Sequence, residues 1–146
     1  MQQRIEKHRQ NRPESWTTLE IPIGVGNAII DSSVDAEVII IDCITMLVNN
    51  VFNHFSFKTD SIIDKEAIEK EVGLQIYQLL DCLNRLDASF IIVTNEVGMD
   101  LVPDNRISRL YRDLLGKANK LLAEKVDEVF LMVAGIPVRI KPSIYS

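Results

Sequence analysis

The stretch Phe90–Leu122, FIIVTNEVGMDLVPDNRISRLYRDLLGKANKLL, limits the possible folds of this chain more than any other. It opens on Phe90–Val93, a short apolar, β-branched run of the kind that forms a strand covered on both faces. A polar loop follows over Thr94–Pro103, carrying Thr94, Asn95, Glu96, Gly98 and Pro103. Asp104 then reads as the N-cap of a helix whose apolar residues, from Ile107 and Leu110 through Tyr111, Leu114, Leu115, Leu121 and Leu122, recur at helical spacing. Arg106, Arg109, Arg112, Lys117 and Lys120 fall largely on the other side. Strand, polar loop and helix make half of a βαβ unit. In such units the loop stands at the carboxyl edge of a parallel sheet, where ligands bind. Read in isolation, the same loop is also an ordinary connection ending in a helix cap.

The remaining segments alternate in the same way. Gln2–Gln10 is polar, basic and compatible with a helix ending near Asn11-Arg12-Pro13. Trp16–Ile21 (WTTLEI) has strand composition and closes at Pro22. Gly24–Asp31 has room for a short helix, and Ser32–Asp35 for a turn. Glu37–Ile41 is a second buried-type strand, ending abruptly at Asp42. Ile44–Phe57 is ambiguous by period, but its length and its place after a strand favour helix. Ser61, with Asp64 three residues on, resembles a capping box, and an amphipathic helix runs from about Ile62 to Leu86, weakened at Gly73. Glu128–Val133 is a buried strand, Gly135-Ile136-Pro137 a turn, and Val138–Lys141 a final edge strand. The pattern predicts one α/β domain over residues 1–146, a mostly parallel sheet with helices on both faces and right-handed crossovers. Its carboxyl edge gathers Glu20, Asp42, Asn95, Glu96, Ala134 and Gly135.

Charge narrows the partners. The chain carries a net −5, which argues against a general nucleic-acid binder, since phosphate neutralisation needs a basic face. Within it, Arg4, Lys7, Arg9 and Arg12 against Glu6 give Met1–Arg12 a charge of +3 and leave −8 elsewhere, a pattern suited to a small anionic ligand. Cys43 and Cys82 lack metal-site spacing and read as buried thiols, which fits a reducing cytoplasm. No apolar run approaches the roughly 20 residues of a membrane span, and MQQRIEKHRQ lacks the apolar core of a secretory signal. The expectation is a cytoplasmic protein engaging neither membrane nor nucleic acid.

Two residues stand out as chemical candidates. A carboxylate at the tip of a buried strand, as at Asp42, is where nucleotide enzymes place a magnesium ligand or a ribose acceptor, although strand-then-Asp is also common without function. His8 has the strongly basic neighbourhood: in a helix, Arg4 and Arg12 lie one turn to either side. Such cations depress a histidine pKa, favour the neutral nucleophilic imidazole and hold anionic phosphates. The competing reading is a solvated surface histidine. His54 has no such company and reads as structural. The sequence contains no G-x-x-x-x-G-K-[ST] loop, no G-x-G-x-x-G after a strand, no G-x-S-x-G and no H-E-x-x-H; Ile23-Gly24-Val25-Gly26 reads as a turn.

Four blocks carry a family resemblance: RIEKHRQNRPESW (Arg4–Trp16), IIDCITMLVNN (Ile40–Asn50), VTNEVGMDLVPDNRISRLYRDLLGKANK (Val93–Lys120) and DEVFLMVAGIPVRIK (Asp127–Lys141). In order and spacing the chain resembles the bifunctional adenosylcobinamide kinase / adenosylcobinamide-phosphate guanylyltransferases of cobalamin biosynthesis. The resemblance implies a P-loop-NTPase-like α/β fold and two reactions, with GTP (or ATP) and Mg2+ required. One phosphorylates the aminopropanol hydroxyl of adenosylcobinamide; the other transfers GMP from GTP onto that phosphate through a guanylylated histidine, giving adenosyl-GDP-cobinamide. His8 inherits the nucleophile role. Arg9, Gln10, Asn11 and Arg12 match the segment contacting the guanine nucleotide, Glu20 and Asp42 match nucleotide-contacting acids, and Asp42 is also the candidate metal ligand. A homo-oligomer, a trimer, is implied as well.

The resemblance departs at the amino end, where family members carry a first strand and a G-G-x-R-S-G-K-S-type phosphate loop before the matching blocks. Two expectations follow: a piece of a working bifunctional enzyme, or a truncated, catalytically inactive nucleotide-binding or scaffold relative without the kinase step. A sheet without its first strand would expose unpaired edges.

Overall fold

The computed structural model describes residues 12–32, 35–56, 64–99 and 102–142. The helix expected over Gln2–Gln10, together with Ser61 and the Ile62 start of the long helix, lies outside them. In chain order the elements are α1 (Val25–Asp31), β1 (Val38–Asp42), α2 (Ile44–Ser56), α3 (Lys65–Arg85), β2 (Ser89–Val93), α4 (Arg106–Lys125), β3 (Val129–Val133) and β4 (Ile136–Lys141).

The α/β class holds, but the sheet is smaller than the sequence pattern predicts. β1 and β2 pair in parallel from Val38↔Ser89 to Asp42↔Val93, while β3 and β4 form a separate antiparallel hairpin. Within β1–β2 the period-two alternation of strands divides the side chains. Ile39, Ile41, Phe90 and Ile92 pack on the helical core, whereas Val38, Ile40, Ile91 and Val93 are 41–52% exposed. Among the described residues, therefore, helices cover one face of this pair. The expectation that Phe90–Val93 is buried on both faces is corrected to that extent.

Trp16–Ile21 is also corrected. It has no strand ladder, and all of it except half-buried Ile21 is exposed, because strand composition is realised only where a partner edge supplies hydrogen bonds. The segment is instead held at its two ends by isolated hydrogen bonds. A backbone bond from Trp16 N–H to the Pro13 carbonyl (3.0 Å) makes a turn, Asn50 Nδ2 donates to the Pro22 carbonyl (3.0 Å), and Gly24 N–H donates to Gln75 Oε1 (2.7 Å).

The core lies between the inner face of β1–β2 and the helices. α3 is its axis, packing against α1, α2 and α4, with Ile68, Ile76, Leu79 and Cys82 fully buried. Asp64 caps α3 directly, its side chain accepting from Ala67 N–H at 3.0 Å. Burial raises the Cys82 thiol pKa, with Asp81 adding to it; Cys82 and half-buried Cys43 are both free. α4 buries Leu114, Leu115, Ala118 and Leu122 against α2 and α3. Its N-cap is Asn105, accepting from Ser108 N–H at 2.7 Å, rather than the expected Asp104. Asp104 contributes its carbonyl, which with that of Pro103 accepts from Arg109 Nη1.

The β3–β4 turn is Ala134-Gly135, with φ of 50° and 81°, the two left-handed positions of a tight hairpin. The expected turn at Gly135-Ile136-Pro137 is thus shifted, and Pro137 lies in β4 opposite Met132. Lys141 Nζ reaches back to the carbonyls of Ala123, Glu124 and Val126, satisfying the end of α4 and joining the hairpin to it.

Candidate functional site

The parallel register of β1 and β2 decides what meets at the carboxyl edge. Because Asp42 pairs with Val93, Asp42 and the loop beginning at Thr94 leave the sheet at the same level. Asp42 is exposed and continues the open-face series Val38, Ile40. The Asp42–Cys43 peptide is cis, and Cys43 opens α2, its carbonyl accepting from Met46 and Leu47 N–H. The N-terminus of this 13-residue helix therefore stands at the same edge as Asp42, and its dipole favours anionic phosphate there.

The loop after β2 is held by side chains from two helices. Asn95 N–H donates to Thr45 Oγ1 at 3.1 Å, the Thr94 hydroxyl donates to Asn119 Oδ1 at 2.7 Å, and Asn119 Nδ2 donates to the Asn95 carbonyl at 3.0 Å. Tyr111 OH donates to the Thr45 carbonyl at 3.1 Å, and its ring stands edge-on to Phe52. Burial raises the Tyr111 pKa, with the Cys43 thiol adding to it, so the phenol stays protonated and donating through neutral pH. Glu96 folds back on its own loop, accepting from Gly98 N–H at 2.5 Å.

Of the residues expected at the edge, Asp42, Asn95 and Glu96 come together there. Glu20 does not sit at a strand tip: it is exposed in the irregular stretch before Pro22. Ala134 and Gly135 form the turn of the separate hairpin rather than a continuation of the parallel edge. Arg12 is exposed and donates from Nη1 to Thr18 Oγ1 at 2.9 Å. His8, Arg9, Gln10 and Asn11 lie outside the described residues. His54, read as structural, is exposed in the last turn of α2 and stacks edge-on against Phe55.

Thr45, Tyr111 and Asn119 are absent from the sequence-derived site. Asn119 had a legible signal: it falls on the buried face of α4 four residues after Leu115, and asparagine is a poor helix former that belongs on such a face only with a partner. Among the described residues no cluster of three or more His, Cys, Asp or Glu side chains forms a metal cage. A lone carboxylate such as Asp42 fits instead the magnesium pattern in which substrate phosphates and water complete the coordination. No helix among the described residues is long and apolar enough to cross a membrane.

Comparison with known proteins identifies the family. The family model described as cobinamide kinase / cobinamide phosphate guanyltransferase matches residues 1–140. The chain is 39% identical over 142 residues to the bifunctional adenosylcobalamin biosynthesis protein CobU of Escherichia coli (strain K12), covering 97% of this chain and 78% of that protein. The protein of the same name from Salmonella typhimurium (strain LT2) is 37% identical over the same shares. Bifunctional adenosylcobalamin biosynthesis protein CobP of Pseudomonas aeruginosa (strain PAO1) is 30% identical over 97% of this chain and 75% of its own length. By the extent of these matches, the chain belongs to the cobinamide kinase / cobinamide phosphate guanyltransferase family.

Proposed function

We propose that this chain works as an adenosylcobinamide kinase / adenosylcobinamide-phosphate guanylyltransferase, with His8 as the covalent nucleophile. The observation that carries the reading is the family match over residues 1–140, which spans both the His8 block and the Asp42–Asn95 edge. In the transfer, the neutral imidazole of His8 attacks the α-phosphorus of GTP; an N–P bond forms, the bond to the β-phosphate oxygen breaks, and pyrophosphate leaves. A phosphate oxygen of adenosylcobinamide phosphate then attacks the same phosphorus, releasing His8 and giving adenosyl-GDP-cobinamide. Arg9, Gln10, Asn11 and Arg12 hold the guanine nucleotide, and the guanidinium groups offset charge spread over the phosphate oxygens. Glu20 and Asp42 contact the nucleotide. Asp42 would also hold Mg2+, which when bound neutralises phosphate charge.

The 146 residues contain no G-x-x-x-x-G-K-[ST] run, so the guanylyl step is the one these residues address most directly. In the kinase step GTP or ATP serves as phosphoryl donor. A homo-oligomer, a trimer by family resemblance, is supported by the apolar side chains left open on β1–β2 and by Phe130, Met132 and Ile136 of the hairpin, each at least 47% exposed. A cytoplasmic setting is supported by the two free thiols.

Incubation with GTP labelled at the α-phosphate tests the reading. Protein carrying an acid-labile, base-stable label is expected, and the label should be absent from His8→Ala. Equal labelling of His8→Ala would overturn the nucleophile assignment.

A further inference from the structure

The corner where the loop leaves β2 is over-determined for a simple connection. Three polar groups on two consecutive residues are bound, none of them through the sheet ladder. The Thr94 hydroxyl and the Asn95 carbonyl both go to the Asn119 amide, and the Asn95 N–H goes to Thr45 Oγ1. The circuit closes through Tyr111, whose hydroxyl binds the Thr45 carbonyl, so α4 grips the loop directly and the first turn of α2 from the other side. Thr94 and Asn95 are themselves exposed, so these bonds bury little apolar surface; what they do is fix a backbone conformation. The fixed corner adjoins Asp42 through the Asp42–Val93 pairing, and Thr45 follows Asp42 by three residues.

We infer that Asn119 is a positioning residue for the guanylyl transfer proposed above: it holds the Thr94–Asn95 corner at a fixed distance from Asp42, with Tyr111 supporting it through Thr45. The inference rests on that proposed reading. Asn119 acts on the reaction through the corner it holds. The amide is suited to this because it offers one acceptor and one donor to two groups of opposite polarity. Aspartate would keep the acceptor and set an oxygen against the Asn95 carbonyl.

The test compares Asn119→Ala, Thr94→Val and Thr94→Ser with the unaltered chain in steady-state GMP transfer from GTP, alongside thermal unfolding. The expected result is a fall in kcat on the order of ten- to a hundredfold for Asn119→Ala and Thr94→Val, because a misplacement of about 1 Å carries a penalty of that size. The KM for GTP should change little, and Thr94→Ser, which keeps the hydroxyl, should recover most of kcat. Should Asn119→Ala fail to fold, the Val and Ser pair at the exposed loop position decides the matter. Variants that melt earlier but keep kcat, or a Ser variant as impaired as Val, would overturn the positioning role alone. An unaltered chain that neither binds nor turns over GTP would overturn the underlying reading and the inference with it.

Discussion

Replacing Gly26 by alanine tests how closely α1 must approach α3. A Cβ built at Gly26 would lie 2.3 Å from the Gln78 carbonyl oxygen, 2.5 Å from its carbon and 2.8 Å from Leu79 nitrogen. All three are backbone atoms of a buried helix, so no side-chain rotation relieves the clash. Restoring an ordinary contact of 3.4 Å requires roughly 1 Å of separation between two helix backbones. That shift loosens Ile29, which is buried, and the neighbouring Val25 and Ile30, and it stretches the 2.7 Å bond from Gly24 to Gln75. Overpacking of this kind costs about 1–3 kcal/mol, against which alanine regains up to about 1 kcal/mol of helix propensity. A net loss of up to about 3 kcal/mol is expected, each kcal/mol equivalent to a fall of about 2–4 °C in Tm for a chain of this size. Internal controls exist, because a Cβ at Gly73 or Gly116 meets nothing within 4 Å. Both lie inside long helices, so Gly73→Ala and Gly116→Ala should each stabilise by about 0.5–1 kcal/mol. Urea and thermal unfolding of the three variants give the comparison. If Gly26→Ala rose in midpoint alongside the two controls, the close-approach argument would be refuted.

Three further substitutions read the surface of α3 and α4. Asn105→Ala removes the α4 cap and should cost about 0.5–2 kcal/mol in urea unfolding, whereas Asp104→Ala, which leaves the bonded carbonyl in place, should stay within about 0.5 kcal/mol. Lys117 hydrogen-bonds Glu69 across α3 and α4, and that bond first, with the charges of Lys117 and Lys65, lowers the Glu69 pKa below its ordinary 4.5. A carboxylate with a depressed folded-state pKa adds stability above its unfolded value and loses it as pH falls through the folded one. The stability gap between the unaltered chain and Glu69→Gln should therefore be small at pH 7, screened by salt, and close as the solution is acidified below about pH 4. A gap that persists at pH 3 would contradict the ion-pair account.

Much of this arrangement was legible because it depends on local pattern. α3 and α4 carry long apolar periodicities, and Val38–Asp42 and Ser89–Val93 are β-branched runs ending in polar residues. Pairing was not legible. Trp16–Ile21 has the composition of a strand, yet whether such a segment joins a ladder depends on a partner edge far away in sequence. The hairpin turn was displaced because Pro137 looks like a breaker, but a two-stranded hairpin leaves one side of each strand unpaired and tolerates it. At the site, Asp42 and the Thr94–Glu96 loop follow from the rule that places ligands at carboxyl edges. Glu20 relied on a strand that does not form, and so did not join them.

α4 links the packing of the domain to the geometry of this edge. Leu114, Leu115, Ala118 and Leu122 bury it against α2 and α3, while Tyr111 and Asn119, four residues to either side of Leu115, turn the same face toward Thr45 and the Asn95 corner. A helix seated by its leucines thereby sets the height of its polar side chains to within a hydrogen-bond length. Truncating Leu115, which is fully buried, would cost about 2–5 kcal/mol and let α4 resettle, so the edge would lose its geometry together with the core. Truncating Asn119 frees the loop while the leucines still hold the helix. That separation is what allows the positioning role to be told apart from mere stability.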